Sequence, residues 1–106
     1  MRKAEVYLYG IKVGILTENE QGYFFQYDTE YANNPQSIPV SMLLPLRQEP
    51  YWDRMLFPFF DGLIPEGWLL AIVQETWKLH PRDRMGLLLT CCHDCIGAAS
   101  IRAIES

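Results

Sequence analysis

The chain has 106 residues, 49% hydrophobic and 13% aromatic, with a formal net charge of −4 and a pI near 5.0. That length fits one domain and that composition can fill a compact core, which excludes a disordered chain. Nine Lys and Arg stand against 13 Asp and Glu, with no basic run, so nothing offers the counterion displacement that direct nucleic-acid binding requires. No apolar run approaches the roughly 18 residues of a membrane span, and Met1-Arg2-Lys3-Ala4-Glu5 lacks the apolar region of a signal peptide. The expected location is the cytoplasm, with no membrane partner.

Glu5-Val6-Tyr7-Leu8-Tyr9 alternates and is rich in β-formers, Gly10 interrupts it, and Ile11 to Leu16 resumes the pattern, which predicts a hairpin. A third strand, Gly22 to Asp28, follows the polar turn Glu18-Asn19-Glu20-Gln21, so the first thirty residues read as an antiparallel meander. Gly14, inside a strand pattern, marks a bulge or a close backbone approach. Asn33 to Ser37 is a loop by composition. Ile38-Pro39-Val40-Ser41-Met42-Leu43-Leu44-Pro45-Leu46 is apolar but carries prolines at both ends, which leaves room for a short edge strand from Val40 to Leu43 and not for a central one. Arg47 to Pro50 is a turn, and a short helix begins in the segment Tyr51 to Phe60, limited by Pro58.

Phe57 to Trp68 joins heavy apolar content to strong punctuation. Phe57, Phe59, Phe60, Leu63 and Ile64 are core candidates, Asp61-Gly62 turns the chain, and Pro65 with Glu66 opens a helix running to about Lys78. On that helix Leu69, Ile72, Val73 and Thr76 form one stripe. Trp68 lies about 100° round from it, on the flank shared with Glu75 and beside Ala71. A tryptophan there laps over the rim of its own domain or anchors a partner, and both readings stand on spacing alone. Beyond His80-Pro81, Arg82 to Thr90 reads as a further helix with Met85, Leu88 and Leu89 at helical spacing. Gly97 to Ile104 reads as a last strand that pairs with the meander. The expected fold class is α+β: a small antiparallel sheet or partly open barrel, made of the meander and the carboxy-terminal strand, packed with two to three short helices.

No catalytic constellation emerges. Gly10 and Gly14 flank a strand-like run and cradle no phosphate. Phe60-Asp61-Gly62 lacks the catalytic-loop Asp and Asn of a kinase. Cys91, Cys92, His93, Asp94 and Cys95 crowd together where zinc would want two separated pairs, with His80 the nearest other nitrogen ligand, so reduced thiols at a helix end are expected and no metal or cofactor. Cys92, His93 and Asp94 are consecutive, which points their side chains apart. Glu66 near Asp61 is a conceivable acid/base pair, although a helix-start carboxylate beside its own dipole explains it as well.

Taken in order, these motifs resemble the amino-terminal subdomain of HipA-type serine/threonine kinase toxins. The resemblance rests on the Tyr9 to Leu16 hairpin, the aromatic strand ending at Tyr27, Ile38-Pro39-Val40-Ser41-Met42 with Leu44-Pro45-Leu46, Phe59-Phe60-Asp61-Gly62-Leu63-Ile64-Pro65-Glu66-Gly67, and Asp94-Cys95-Ile96-Gly97-Ala98. It spans nearly the whole chain and stops where a kinase core would begin. It therefore implies a non-enzymatic, stand-alone component of a three-gene system: a HipS-like antitoxin beside a HipT-like serine/threonine kinase toxin and a HipB-like helix-turn-helix DNA-binding protein. On that footing Trp68, with Pro65, Glu66, Gly67, Ala71 and Glu75 around it, is the expected partner-binding site, set in or beside the kinase active-site cleft. The alternatives are an accessory subunit that completes or activates the kinase, or one that scaffolds its complex with the repressor, and a small metal or redox protein built on the cysteine cluster.

Overall fold

The computed structural model describes residues 2–64, 83–91 and 99–104. Strands β1 (Arg2–Leu8), β2 (Ile11–Asn19) and β3 (Gly22–Tyr27) form the meander, and β4 (Tyr51–Asp53) and β5 (Ala99–Ile104) extend it on either side. All pairings are antiparallel and the order is β4-β3-β2-β1-β5, an open sheet and not a barrel. Among the described residues three short helices accompany it: α1 (Thr29–Asn33), α2 (Pro58–Asp61) and α3 (Arg84–Cys91). No helix among the described residues is long and apolar enough to cross a membrane.

The β1–β2 turn uses Tyr9 and Gly10, both at positive φ (50° and 79°), as a two-residue hairpin with right-handed strand twist demands. Further along, Val6 pairs with Gly14 and Tyr7 with Lys12, so Val13 is the extra residue of a bulge. The Val13 carbonyl then accepts the Asp28 N–H at 2.8 Å, which carries the β2–β3 ladder past the irregularity. Gly14 is required by crowding: a Cβ there would collide with the Gln26 carbonyl oxygen and lie 3.1 Å from both Phe25 Cε1 and Tyr27 Cα.

Alternation sends Ala4, Val6, Leu8, Leu16, Phe25, Tyr27 and Ile101 to one face, where they are buried. Phe57, Phe60 and Ile64 close over them from α2 and its flanks, and Met85, Leu87 and Leu88 from α3. Phe25 meets Tyr27 edge-to-face at 4.8 Å and Phe60 at 5.3 Å, and Phe59 meets Phe60 the same way at 5.2 Å. Each such pair adds about 0.5–1.5 kcal/mol beyond the area it buries.

One ion-pair group ties a helix to the sheet and a second joins two helices. Asp83 caps α3 by accepting the Gly86 N–H at 3.1 Å, and Arg2 on β1 grips that same carboxylate while its Nε reaches Glu18 on β2 at 2.7 Å. Hydrogen bonds first to Asp83 and then to Glu18 raise the pKa of the Arg2 guanidinium. Arg84 bonds Asp61 at 2.6 Å, joining α3 to α2.

Several sequence expectations need correction. Val40 to Leu43 is not a strand: Ser41 and Leu44 form only an isolated bridge across a tight turn. The edge strand falls instead at Tyr51–Asp53, where a helix was expected to begin. Its cross-strand partners Tyr23, Phe24 and Phe25 supply aromatic neighbours that outweigh the flanking proline. Pro58 does not limit a helix but starts one, sitting at its first turn where its missing N–H costs nothing. The one-turn helix α1 carries no apolar periodicity, and the sequence pattern assigns no element to residues 29–32. The Pro65–Lys78 helix lies outside the described residues.

Candidate docking surface

Between α1 and β4 the chain makes an apolar lip, residues 38–45, that packs little of itself into the core yet is held by an unusual number of fixed bonds. Three tyrosine hydroxyls from surrounding elements pin its backbone. Tyr27, at the end of β3, accepts the Val40 N–H at 2.9 Å and donates to the Leu44 carbonyl. Tyr31, on α1, donates to the Ile38 carbonyl at 2.7 Å and accepts the Ile38 N–H at 3.3 Å. Tyr51, on β4, donates to the Pro45 carbonyl at 2.6 Å. Inside the lip the Leu44 N–H bonds the Ser41 carbonyl at 3.0 Å and the Leu43 N–H bonds Ser41 Oγ at 3.2 Å.

The next segment is equally fixed. Arg47 stacks 3.6 Å above the Tyr51 ring and donates to the Glu49 and Pro50 carbonyls, both at 3.1 Å. Gln48 Nε2 reaches Asn33 Oδ1 at 2.9 Å. Burial places the Tyr27 hydroxyl in a poor environment for charge and pushes its pKa up to about 12, so at neutral pH it remains a phenol able to donate and accept.

This scaffolding presents side chains that the fold itself leaves uncovered. Val40 and Leu44 turn inward and are buried, whereas Met42 is 93% exposed, Leu43 73% and Ile38 51%. Beside Leu43, a cleft of about 320 Å³ opens between the lip, β4 and α2, walled by Tyr51, Phe57 and Phe59 with Ser41 and Asp53 on its margin. Trp52, across the sheet from Phe24 and also half-exposed, holds its indole N–H on the Gln21 carbonyl at 3.1 Å. A backbone fixed in advance spares an interface the cost of ordering a loop, while each exposed side chain still costs about 0.5–1.5 kcal/mol to immobilise.

Among the described residues no group of three or more His, Cys, Asp or Glu is placed to hold a metal. Asp61, half of the conceivable acid/base pair, is engaged by Arg84. Its partner Glu66 lies outside the described residues, as do Pro65, Gly67, Trp68, Ala71 and Glu75, and also His80, Cys92, His93, Asp94 and Cys95. Cys91 ends α3. The lip was visible in the sequence only as apolar residues between prolines. Its signal was the set of tyrosines at 27, 31 and 51, whose reach across the loop depends on tertiary placement.

A family model described as the HipA N-terminal domain matches residues 4–102. A protein of Haemophilus influenzae, known only as uncharacterized, is 36% identical over 96% of this chain and 92% of its own length. A putative kinase of Sinorhizobium fredii, Y4mE, is 29% identical over 95% of this chain, which spans 24% of that protein. Among solved structures, the N-terminal domain of a HipA toxin superposes with a TM-score of 0.75 at 33% identity, covering all of this chain and 95% of the other. Sheet, helices and sequence motifs agree: the chain belongs to the HipA N-terminal domain family.

Proposed function

We propose that the chain is an antitoxin that docks in trans on a separate HipA-like serine/threonine kinase, obstructs its active site and performs no reaction of its own. The observation that carries this reading is the lip: apolar side chains exposed on a backbone that three tyrosines hold in advance of any partner. Family membership supports it, and so does the putative kinase relative, in which the matching stretch is a quarter of a longer protein. A domain that packs against a kinase core within one chain has an effective concentration in the millimolar range, and one acting in trans must replace that advantage with interface energy.

Trp68 supplies part of it in this reading, as an anchor in the segment that also carries Pro65, Glu66, Gly67, Ala71 and Glu75. A buried tryptophan anchor contributes about 2 kcal/mol or more to an interface. A helix-turn-helix protein of the HipB type completes the assembly and carries its DNA binding, which leaves this acidic chain without a nucleic-acid contact of its own.

Co-expression with a HipA-like kinase tests the role. Growth rescue by the wild type, weakened at least tenfold in protective dose by Trp68→Ala with the fold intact, is the expected result. Enhanced killing would assign an activating subunit instead, and equal protection by Trp68→Ala would remove the anchor.

A further inference from the structure

We infer that Asp61 and Arg84 are positioning residues for docking. Residues 65–82, which carry Trp68, begin after Ile64 and end before Asp83, and the Asp61–Arg84 ion pair holds the chain on either side of them together. The inference rests on the docking role proposed above and adds to it residues that act through the segment they flank.

The leading side is fixed by burial. Ile64 is 3% exposed and belongs to the core, and its N–H bonds the Asp61 carbonyl at 3.2 Å while the Leu63 N–H bonds that of Phe60 at 3.0 Å. The trailing side is fixed by charge. Asp83 and Arg84 are consecutive and opposite in sign, and each takes a partner from a different element. Arg2 on β1 grips the Asp83 carboxylate through both terminal nitrogens, at 2.7 and 3.2 Å, and Arg84 Nε donates to Asp61 Oδ1 at 2.6 Å. Gly86 makes room for the first of these pairs: a Cβ there would collide with the Asp83 carboxylate and lie 3.3 Å from Arg2 Nη1.

Asp61 is the last residue of α2 and Arg84 the first of α3, so their bond ties the two points from which the intervening segment is hung. Bringing the ends of a segment together costs conformational entropy that grows slowly with its length. Here the fold bears that cost before any partner arrives. Where only a fraction of the molecules holds a binding segment ready, apparent affinity falls in proportion to that fraction. Loosening the base of the segment therefore weakens docking without altering the interface. The carboxylate is 44% exposed and the guanidinium 34%, which sets the scale: a pair so placed shifts an equilibrium by about fivefold at most.

Binding of the full chain to a HipA-like kinase, measured by titration calorimetry with circular dichroism as the check on folding, decides the matter. Arg84→Gln and Asp61→Asn should each weaken affinity by about three- to fivefold, and the double variant no more than either. Arg84→Gln should cost little further once Trp68→Ala is present, because the segment it positions has lost its anchor. Lys12→Gln, which breaks partly exposed pairs to Glu5 and Asp28 near the β1–β2 turn, should leave affinity unchanged. Full affinity in Arg84→Gln, losses from Arg84→Gln and Trp68→Ala that simply multiply, or an equal loss in Lys12→Gln would each overturn the positioning role, whatever happens to stability. Absence of any wild-type binding to the kinase would instead overturn the docking role itself.

Discussion

Removing one oxygen atom tests whether the tyrosine clamps hold the lip. In Tyr27→Phe the ring stays packed 4.8 Å from Phe25, so the core loses no volume, but the Val40 N–H and the Leu44 carbonyl both lose their partner. Val40 is 8% exposed and Leu44 4%, so water does not readily replace the hydroxyl. Each orphaned buried group costs about 1–3 kcal/mol, which gives roughly 2–6 kcal/mol for the pair. Tyr31→Phe is the internal control. It also breaks two bonds to the lip backbone, but these are exposed, and solvent should hold the cost to about 1 kcal/mol or less. Urea unfolding followed by circular dichroism reads the difference as a shift in midpoint at constant slope. A cost for Tyr27→Phe no greater than that for Tyr31→Phe would refute the clamp argument.

Two further outcomes follow from the same geometry. Gly14→Ala forces β3 away from the bulge and should destabilise by about 1–3 kcal/mol in the same unfolding assay, as overpacking does; a neutral result would contradict the close approach of the strands. Alkaline pH should loosen the lip. An unfolded tyrosine ionises near pH 10 and the folded Tyr27 near 12, so below pH 10 its contribution is complete. Between those values the native state holds the extra proton, and stability falls as pH rises, by up to about 1.4 kcal/mol per unit. Burial raises the pKa of Tyr23 in the same direction. Tyr27→Phe should flatten this slope, which a pH series of unfolding midpoints would show.

The meander was legible because its alternation and its turn residues agree: Gly10 and Gly14 mark the hairpin tip and the bulge, and Val6, Leu8, Leu16 and Phe25 keep a period of two. Strand β5 and helix α3 were legible for the same reason, though Leu87, fully buried, falls off the expected stripe because α3 is covered on more than one side. The region between β3 and α2 was not. There the conformation is set by contacts distant in sequence, Tyr27 to Leu44, Tyr31 to Ile38 and Gln48 to Asn33. Apolar residues at Val40 and Leu44 alternate as a strand would, while the bonds that close them into a turn come from outside the segment. Spacing drew attention to Trp68, which lies outside the described residues, whereas the exposed Met42 and Leu43 gave no periodic signal because their exposure depends on the turn.

The central claim is that this domain acts on a kinase by occupying its surface. Titrating the purified chain into the purified HipA-like kinase, while following transfer of labelled phosphate from ATP to protein, tests it most directly. Kinase activity should fall to background as the chain approaches equimolar amounts, with half-inhibition moving to at least tenfold higher concentration for Trp68→Ala. Activity that stays level or rises with saturating chain would contradict the account.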